Sequence, residues 1–187
     1  MIRNHETARA TAGQPPAAYF FDQFCLNQHQ LTRDCTTDEE KRQQLVDGLR
    51  RSLHACRTLL LCCTAGPSGG AGWEKPAPFE RVWCLFEAYV AITEGITVVM
   101  RLAERDMVEF RQALHHDGMD RVRGALDALD ARDAGASVAA DKGTILGEIE
   151  ATVGIEEFNK RVREGMLAEF RRVSMQSALT VSRGYST

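Results

Sequence analysis

Thr58-Leu-Leu-Leu-Cys-Cys63, then Thr64-Ala-Gly-Pro-Ser-Gly-Gly-Ala-Gly-Trp73, then Val82-Trp-Cys-Leu-Phe-Glu-Ala-Tyr-Val-Ala-Ile-Thr93 and Ile96-Thr-Val-Val-Met100 is the stretch whose reading decides the fold. The first run is uncharged and stops at Gly66-Pro67-Ser68-Gly69-Gly70, which reads as a fully buried strand ending in a loop. A helix follows from about Glu80 to Glu94 and is stopped by Gly95. Ile96 to Met100 is short and β-branched, a second strand of the same kind. Upstream, Tyr19-Phe20-Phe21-Asp22-Gln23-Phe24 follows Pro15-Pro16 and reads as an earlier aromatic strand. Thr37 with Glu40 forms a capping box, and Leu45, Val46, Leu49 and Leu53 follow it at helical spacing. Strand, helix, strand, helix, strand in alternation predicts an α/β domain with a parallel sheet flanked by helices and strands buried on both faces.

Downstream the pattern loosens. A helix from Glu104 to about His115 is expected, and Val122 to Leu129 suits an edge strand or a helix equally. Ile155, Phe158, Val162, Met166, Phe170 and Val173 form the apolar stripe of a closing helix. The expected organisation is an irregular leader over residues 1–18, one domain over 19–175 and a flexible tail over 176–187.

The totals narrow the function classes. The chain has 187 residues, 44% of them hydrophobic and 26% charged, which suits one cored domain and argues against wholesale disorder. With a net charge of -3 and no dense Lys/Arg stripe, no nucleic-acid partner is expected. No apolar run reaches the roughly 20 residues of a membrane span, and Arg3, His5, Glu6 and Arg9 stand where a signal peptide needs its apolar core, so a cytoplasmic protein is expected. The six cysteines show no C-x-x-C pair. Cys25, His29 and Cys35 lack zinc-knuckle intervals, so neither a metal nor a disulfide framework is expected. Gly66 to Gly72 lacks the G-K-[ST] ending of a phosphate-binding loop.

The residue that stands out is Glu87, the single carboxylate in Val82 to Thr93. A helix that is apolar nearly all round is buried on more than one side, so its carboxylate must be paired, protonated or directed into a pocket. Trp83, one turn earlier on the same stripe, gives it an aromatic wall. An ion pair with Arg57 or Arg81 that serves only the fold is an equal alternative.

Arg81-x-Trp83-Cys84-x-x-Glu87, after a buried strand and a Gly/Pro-rich loop, resembles the W-C-x-x-E element of TIR (Toll/interleukin receptor) domains. Together with Tyr19-Phe-Phe-Asp22-x-Phe-Cys-Leu-Asn27-Gln28-His29, and with Asp141-x-x-x-Ile145 and Gly154-x-x-x-Phe158-Asn159, it is similar to uncharacterised TIR-like modules of protist and algal proteins, over most of residues 19–173. The resemblance implies a flavodoxin-like fold and one of two functions. One is a cytoplasmic signalling module that associates with itself or with a protein partner. The other is cleavage of NAD at the nicotinamide-ribose bond, with Glu87 as catalytic carboxylate and Trp83, Phe86, Asp22 and Asn27 around a nucleotide bound as substrate or ligand rather than as a cofactor. The family opens with a strand carrying F-[IV]-S-[YHR], central in its sheet, and residues 1–18 hold nothing similar. The expectation is therefore a sheet incomplete at its N-terminal side, as in a fragment of a longer protein, with a rearranged sheet as the alternative.

Overall fold

The computed structural model describes residues 2–14 and 37–184. The expected strand Tyr19–Phe24, and with it Asp22 and Asn27, lies outside the described residues. The capping box forms as read: the Glu40 backbone N–H donates to the Thr37 hydroxyl at 3.1 Å, and the Thr37 N–H donates to the Glu40 carboxylate at 3.0 Å. It opens a helix over Asp38–Cys56 that buries Val46, Leu49 and Leu53. Arg57, in the left-handed region at φ 57°, closes that helix by donating its N–H to Leu53 O at 2.8 Å. It is also the single residue leading into the first strand.

That strand, β1 (Thr58–Cys63), pairs in parallel with β2 (Thr97–Leu102), from Thr58 opposite Thr97 to Cys63 opposite Leu102. Taken in chain order, α1 is Ile2–Thr11, α2 the capped helix just described, α3 Val82–Thr93, α4 Glu104–Asp117, α5 Asp120–Asp127, α6 Ala139–Thr152 and α7 Ile155–Gly184. The described residues thus form a mixed α/β structure with a two-stranded parallel sheet and seven α-helices. None of these helices is long and apolar enough to cross a membrane.

The period of two along each strand sorts its side chains. Leu61, Cys63, Met100 and Leu102 are buried on one face, whereas Leu60, Cys62, Val99 and Arg101 on the other are half-buried. The expectation of strands buried on both faces is corrected accordingly. The core lies on the first face, where Leu85 and Phe86 of α3, Phe110 of α4, Ile145 and Ile149 of α6 and Phe158, Met166 and Phe170 of α7 are almost wholly excluded from solvent. α3 and α7 approach so closely that a side chain at Gly165 would collide with Ile92.

The two outer edges of the sheet differ. The Met100 N–H, pointing away from β1, donates at 2.8 Å to Glu169 Oε1 of α7, and Arg172 grips the same carboxylate. On β1 the bonding pattern, set by Thr97 N–H to Arg57 O at 3.3 Å, turns the backbone of Thr58, Leu60 and Cys62 outward. No backbone group among the described residues pairs with that edge.

Two expectations change, and an alternative left open is decided. Residues 2–11, read as part of an irregular leader, are helical, and buried His5 lies 3.4 Å from the Arg101 guanidinium. The segment from Val122 is helix α5, with Val122 and Leu126 buried. α7 runs on to Gly184, so most of the expected flexible tail is helical.

Candidate functional site

α3 carries Trp83, Phe86 and Glu87, and its first turn is held from outside. The chain before it forms a short 3-10 turn over Ala77–Glu80. Val82 N–H then donates to Gly135 O at 2.9 Å while Gly135 N–H donates to Glu80 O at 2.8 Å, a two-bond clamp on the helix start. The clamp satisfies a donor that the N-terminal turn of a helix leaves open. Because α3 returns from the carboxyl end of β1 toward the amino end of β2, Trp83 sits nearer the carboxyl edge of the sheet. Glu87 lies one turn, about 6 Å, further along the axis.

Trp83 is half-buried, and its indole Nε1–H donates to Asp141 Oδ2 at 3.1 Å. Asp141 occupies the first turn of α6, where a carboxylate is favoured by the helix dipole. This bond spans 58 residues of sequence and fixes the plane of the indole ring. Glu87 is half-buried. Phe86 is buried at 2% exposure among the core residues and does not present its ring to solvent. As a wall of a ligand site, the role expected for it, Phe86 could act only from within the core. Arg57 and Arg81, the alternative partners considered for Glu87, are exposed residues at the end of α2 and the start of α3.

The loop after β1 does not present its aromatic residue either. Trp73 is 2% exposed, packs on Phe110 at 5.7 Å between ring centroids, and carries the Arg121 guanidinium 5.2 Å above its ring. Arg121 in turn pairs with Glu74 at 2.5 Å and Asp117 at 3.5 Å. The glycine-rich turn folds over Glu80, whose carboxylate is bound by the Ser68 hydroxyl and lies 3.5 Å from the Ser68 N–H. These loop donors therefore serve the chain's own carboxylate.

Asp106, at the start of α4 and 3% exposed, was not singled out from the sequence. Its Oδ1 and the Trp73 Nε1 are buried without hydrogen-bond partners, and Arg105 approaches the same Oδ1 only to 3.8 Å. The signal that could have found Asp106 is its place on the apolar stripe with Phe110 and Ala113. Beside the cavity of about 310 Å³ between this loop and α4, lined by Trp73, Glu109, His116 and Arg121, the described residues hold no group of three or more His, Cys, Asp or Glu side chains arranged for a metal ion.

Burial raises the thiol pKa of Cys62 and, further, that of Cys63, so both stay protonated at neutral pH and neither is an activated nucleophile. Comparison with known proteins returns no match, whether by family model, among curated proteins or among solved structures.

Proposed function

We propose that the chain is a TIR-like module, flavodoxin-like in its sheet, which works in the cytoplasm by self-association or by binding a protein partner. The observation that carries this reading is the outer edge of β1. Parallel strands are rarely left uncovered, and a two-stranded sheet is marginal by itself, so an uncharged strand whose outer row of donors and acceptors meets no partner among the described residues is a template for another strand. Such strand addition is a recurrent way of binding an extended segment.

The test is hydrogen exchange in dilute protein. The Leu60 and Cys62 amides should exchange far faster than the Met100 amide, which Glu169 holds. Slow exchange at Leu60 and Cys62 in a dilute monomer would mean that the edge is already covered, and the reading would fall.

A second reading is favoured by the Trp83–Asp141 hydrogen bond, which holds an aromatic ring one turn ahead of Glu87. It is an NAD glycohydrolase. Water adds at the ribosyl carbon as the bond to nicotinamide breaks, and the Glu87 carboxylate stabilises the oxocarbenium-like centre. The pyridinium leaves as neutral nicotinamide, so no general acid is needed. Under this reading Glu87→Ala abolishes nicotinamide release at an unchanged melting transition. Release that persists in the variant would eliminate Glu87 as the catalytic carboxylate.

A further inference from the structure

We infer that the seam between the loop after β1 and the first turn of α4 is a binding site for a small neutral polyol, a ligand with adjacent hydroxyls such as a ribose ring. Its diol donates to the Asp106 carboxylate and accepts from the Trp73 indole N–H. The site is built from residues other than the β1 edge and the Trp83–Glu87 helix, so it stands or falls separately from either reading of those.

Two orphaned atoms mark the place. Asp106 and Trp73 are 3% and 2% exposed, and Asp106 Oδ1 and Trp73 Nε1 are buried without hydrogen-bond partners. They come from the two sides of one seam. Trp73 ends the loop, Asp106 stands in the first turn of α4, and a Cβ at Gly72 would lie 2.5 Å from Asp106 Oδ2. Asp106, Phe110 and Ala113 form the buried stripe of α4, and Ala113 and Trp73 both line the cavity of about 310 Å³ that opens there. Buried polar groups are nearly always paired, so an acceptor and a donor left over in one seam call for a group that supplies both bonds.

Chemistry selects the ligand. On the cavity wall Arg121 is matched by Glu74 at 2.5 Å and Asp117 at 3.5 Å, and Glu109 lies 4.0 Å from Arg105, so the seam lacks a donor and an acceptor rather than a counter-charge. A hydroxyl is both at once, and adjacent hydroxyls present two donors to one carboxylate. At the carboxyl edge of open α/β sheets an acidic residue bonds ribose in this way, and Asp106 follows directly on the end of β2 at Leu102. The cavity is at the small end of ligand sites, which run from roughly 300 to 1,000 Å³, and so suits a sugar or a nucleoside. Both orphaned atoms are shut off from solvent while the loop is seated, so binding includes a shift of Trp73. Gly69 and Gly70, at φ 79° and 95°, supply the bend on which the loop turns. An unmatched buried carboxylate lowers stability, a cost that proteins retain at binding sites.

The experiment uses the full chain and follows its indole N–H resonances, assigned with Trp73→Phe, together with its melting transition. Ribose, adenosine and dideoxyadenosine, which lacks both ribose hydroxyls, are titrated into wild type and Asp106→Asn. Trp83, whose Nε1–H is held by Asp141 at 3.1 Å, is the internal control. Ribose or adenosine should move the Trp73 signal saturably and raise the melting transition, while dideoxyadenosine does neither and Trp83 stays still. A response to both sugars identifies a free polyol as sufficient, and a response to adenosine alone a nucleoside; either supports the site. Asp106→Asn should weaken binding about tenfold or more, and unchanged affinity there overturns the inference. If that variant unfolds, the comparison with dideoxyadenosine decides alone. No movement of Trp73 with ribose or adenosine overturns the site, and an equal response to dideoxyadenosine overturns recognition of the diol. A response at Trp83 in place of Trp73 puts the ligand on α3 and overturns the assignment. A Trp73 N–H in contact with one long-lived water, unmoved by either sugar, means that an internal water completes the pair and that no ligand is bound there.

Discussion

Between α5 and α7 the chain buries polar atoms and satisfies them, whereas at the carboxyl ends of β1 and β2 it buries polar atoms and leaves two of them without hydrogen bonds. In the first region Asn159, fully buried, accepts from Ala131 N–H at 3.0 Å and donates to Asp130 Oδ1 at 3.1 Å. Arg163 donates Nε–H to Leu129 O at 3.0 Å, and Arg132 joins Asp130 to Glu156. In the second region Gly72 lets the loop press against Asp106, and Trp73 Nε1 and Asp106 Oδ1 have no partner. A matched network contributes stability, while orphaned buried atoms carry their desolvation as a net cost. The lesson is that this chain concentrates its stability in the joint before α7 and accepts a local penalty where open α/β sheets usually bind ligands.

The comparison can be broken or sharpened, beginning with the largest expected effect. A Cβ at Gly72 would stand 2.5 Å from Asp106 Oδ2 and 2.8 and 2.9 Å from backbone atoms of Thr64 and Ala65. Gly72→Ala should therefore cost about 3 kcal/mol by denaturant unfolding, because backbone cannot swing aside. A neutral result would show the loop to be looser than its packing implies. Asn159→Ala should cost about 2 kcal/mol, since it strands the buried Ala131 N–H; a loss below about 0.5 kcal/mol would remove the joint from its assigned role.

Asp106→Asn should gain up to about 1 kcal/mol, as it replaces a buried carboxylate with a neutral group of the same shape. A loss of similar size would mean that the carboxylate is favourably placed and that the contrast between the regions is false.

The smallest effect concerns pH. The Arg132 side chain first, then its backbone N–H and Asn159, hold the Asp130 carboxyl well below the usual carboxylate range, with burial opposing them. A depressed folded-state pKa contributes stability that is fully present above the unfolded value of about 3.9 and is lost as pH falls below it. Acid titration of the unfolding transition should show wild type losing its advantage over Asp130→Asn below about pH 4. Parallel curves would mean that the Arg132 contact is not maintained in solution.

How far the sequence reached follows from the range of each interaction. The capping box at Thr37 and Glu40, the strands beginning at Thr58 and near Ile96, and the stop at Gly95 depend on neighbours a few residues away, and all are where local chemistry puts them. α5 could not be told from a strand because eight residues with Gly124 inside them hold too few apolar positions to show a period. α1 has almost no apolar stripe, so only helix propensity marks it. Trp83 and Asp141 are each conspicuous in the sequence, yet their contact is long-range and no local pattern announces it. Asp106 looks like an ordinary acidic residue of a first helical turn, and only the loop packed over it makes it a buried one. Phe86 was legible as apolar but not as interior, since periodicity identifies a face and not what covers it.

The parallel pairing of β1 with β2 also bears on the order in which the chain folds. Thr58 meets Thr97 only after the loop, the 3-10 turn and all of α3 have been placed, a closure whose entropy must be spent before any strand bond forms. α6 and α7 meet across the tight turn at Gly154, with its N–H on Ile149 O at 2.9 Å, and need no such closure. The helical hairpin should therefore acquire amide protection first and serve as the surface on which the strands assemble. Pulse-labelled exchange showing Leu61 and Val99 protected ahead of Ile149 and Val162 would reverse that order.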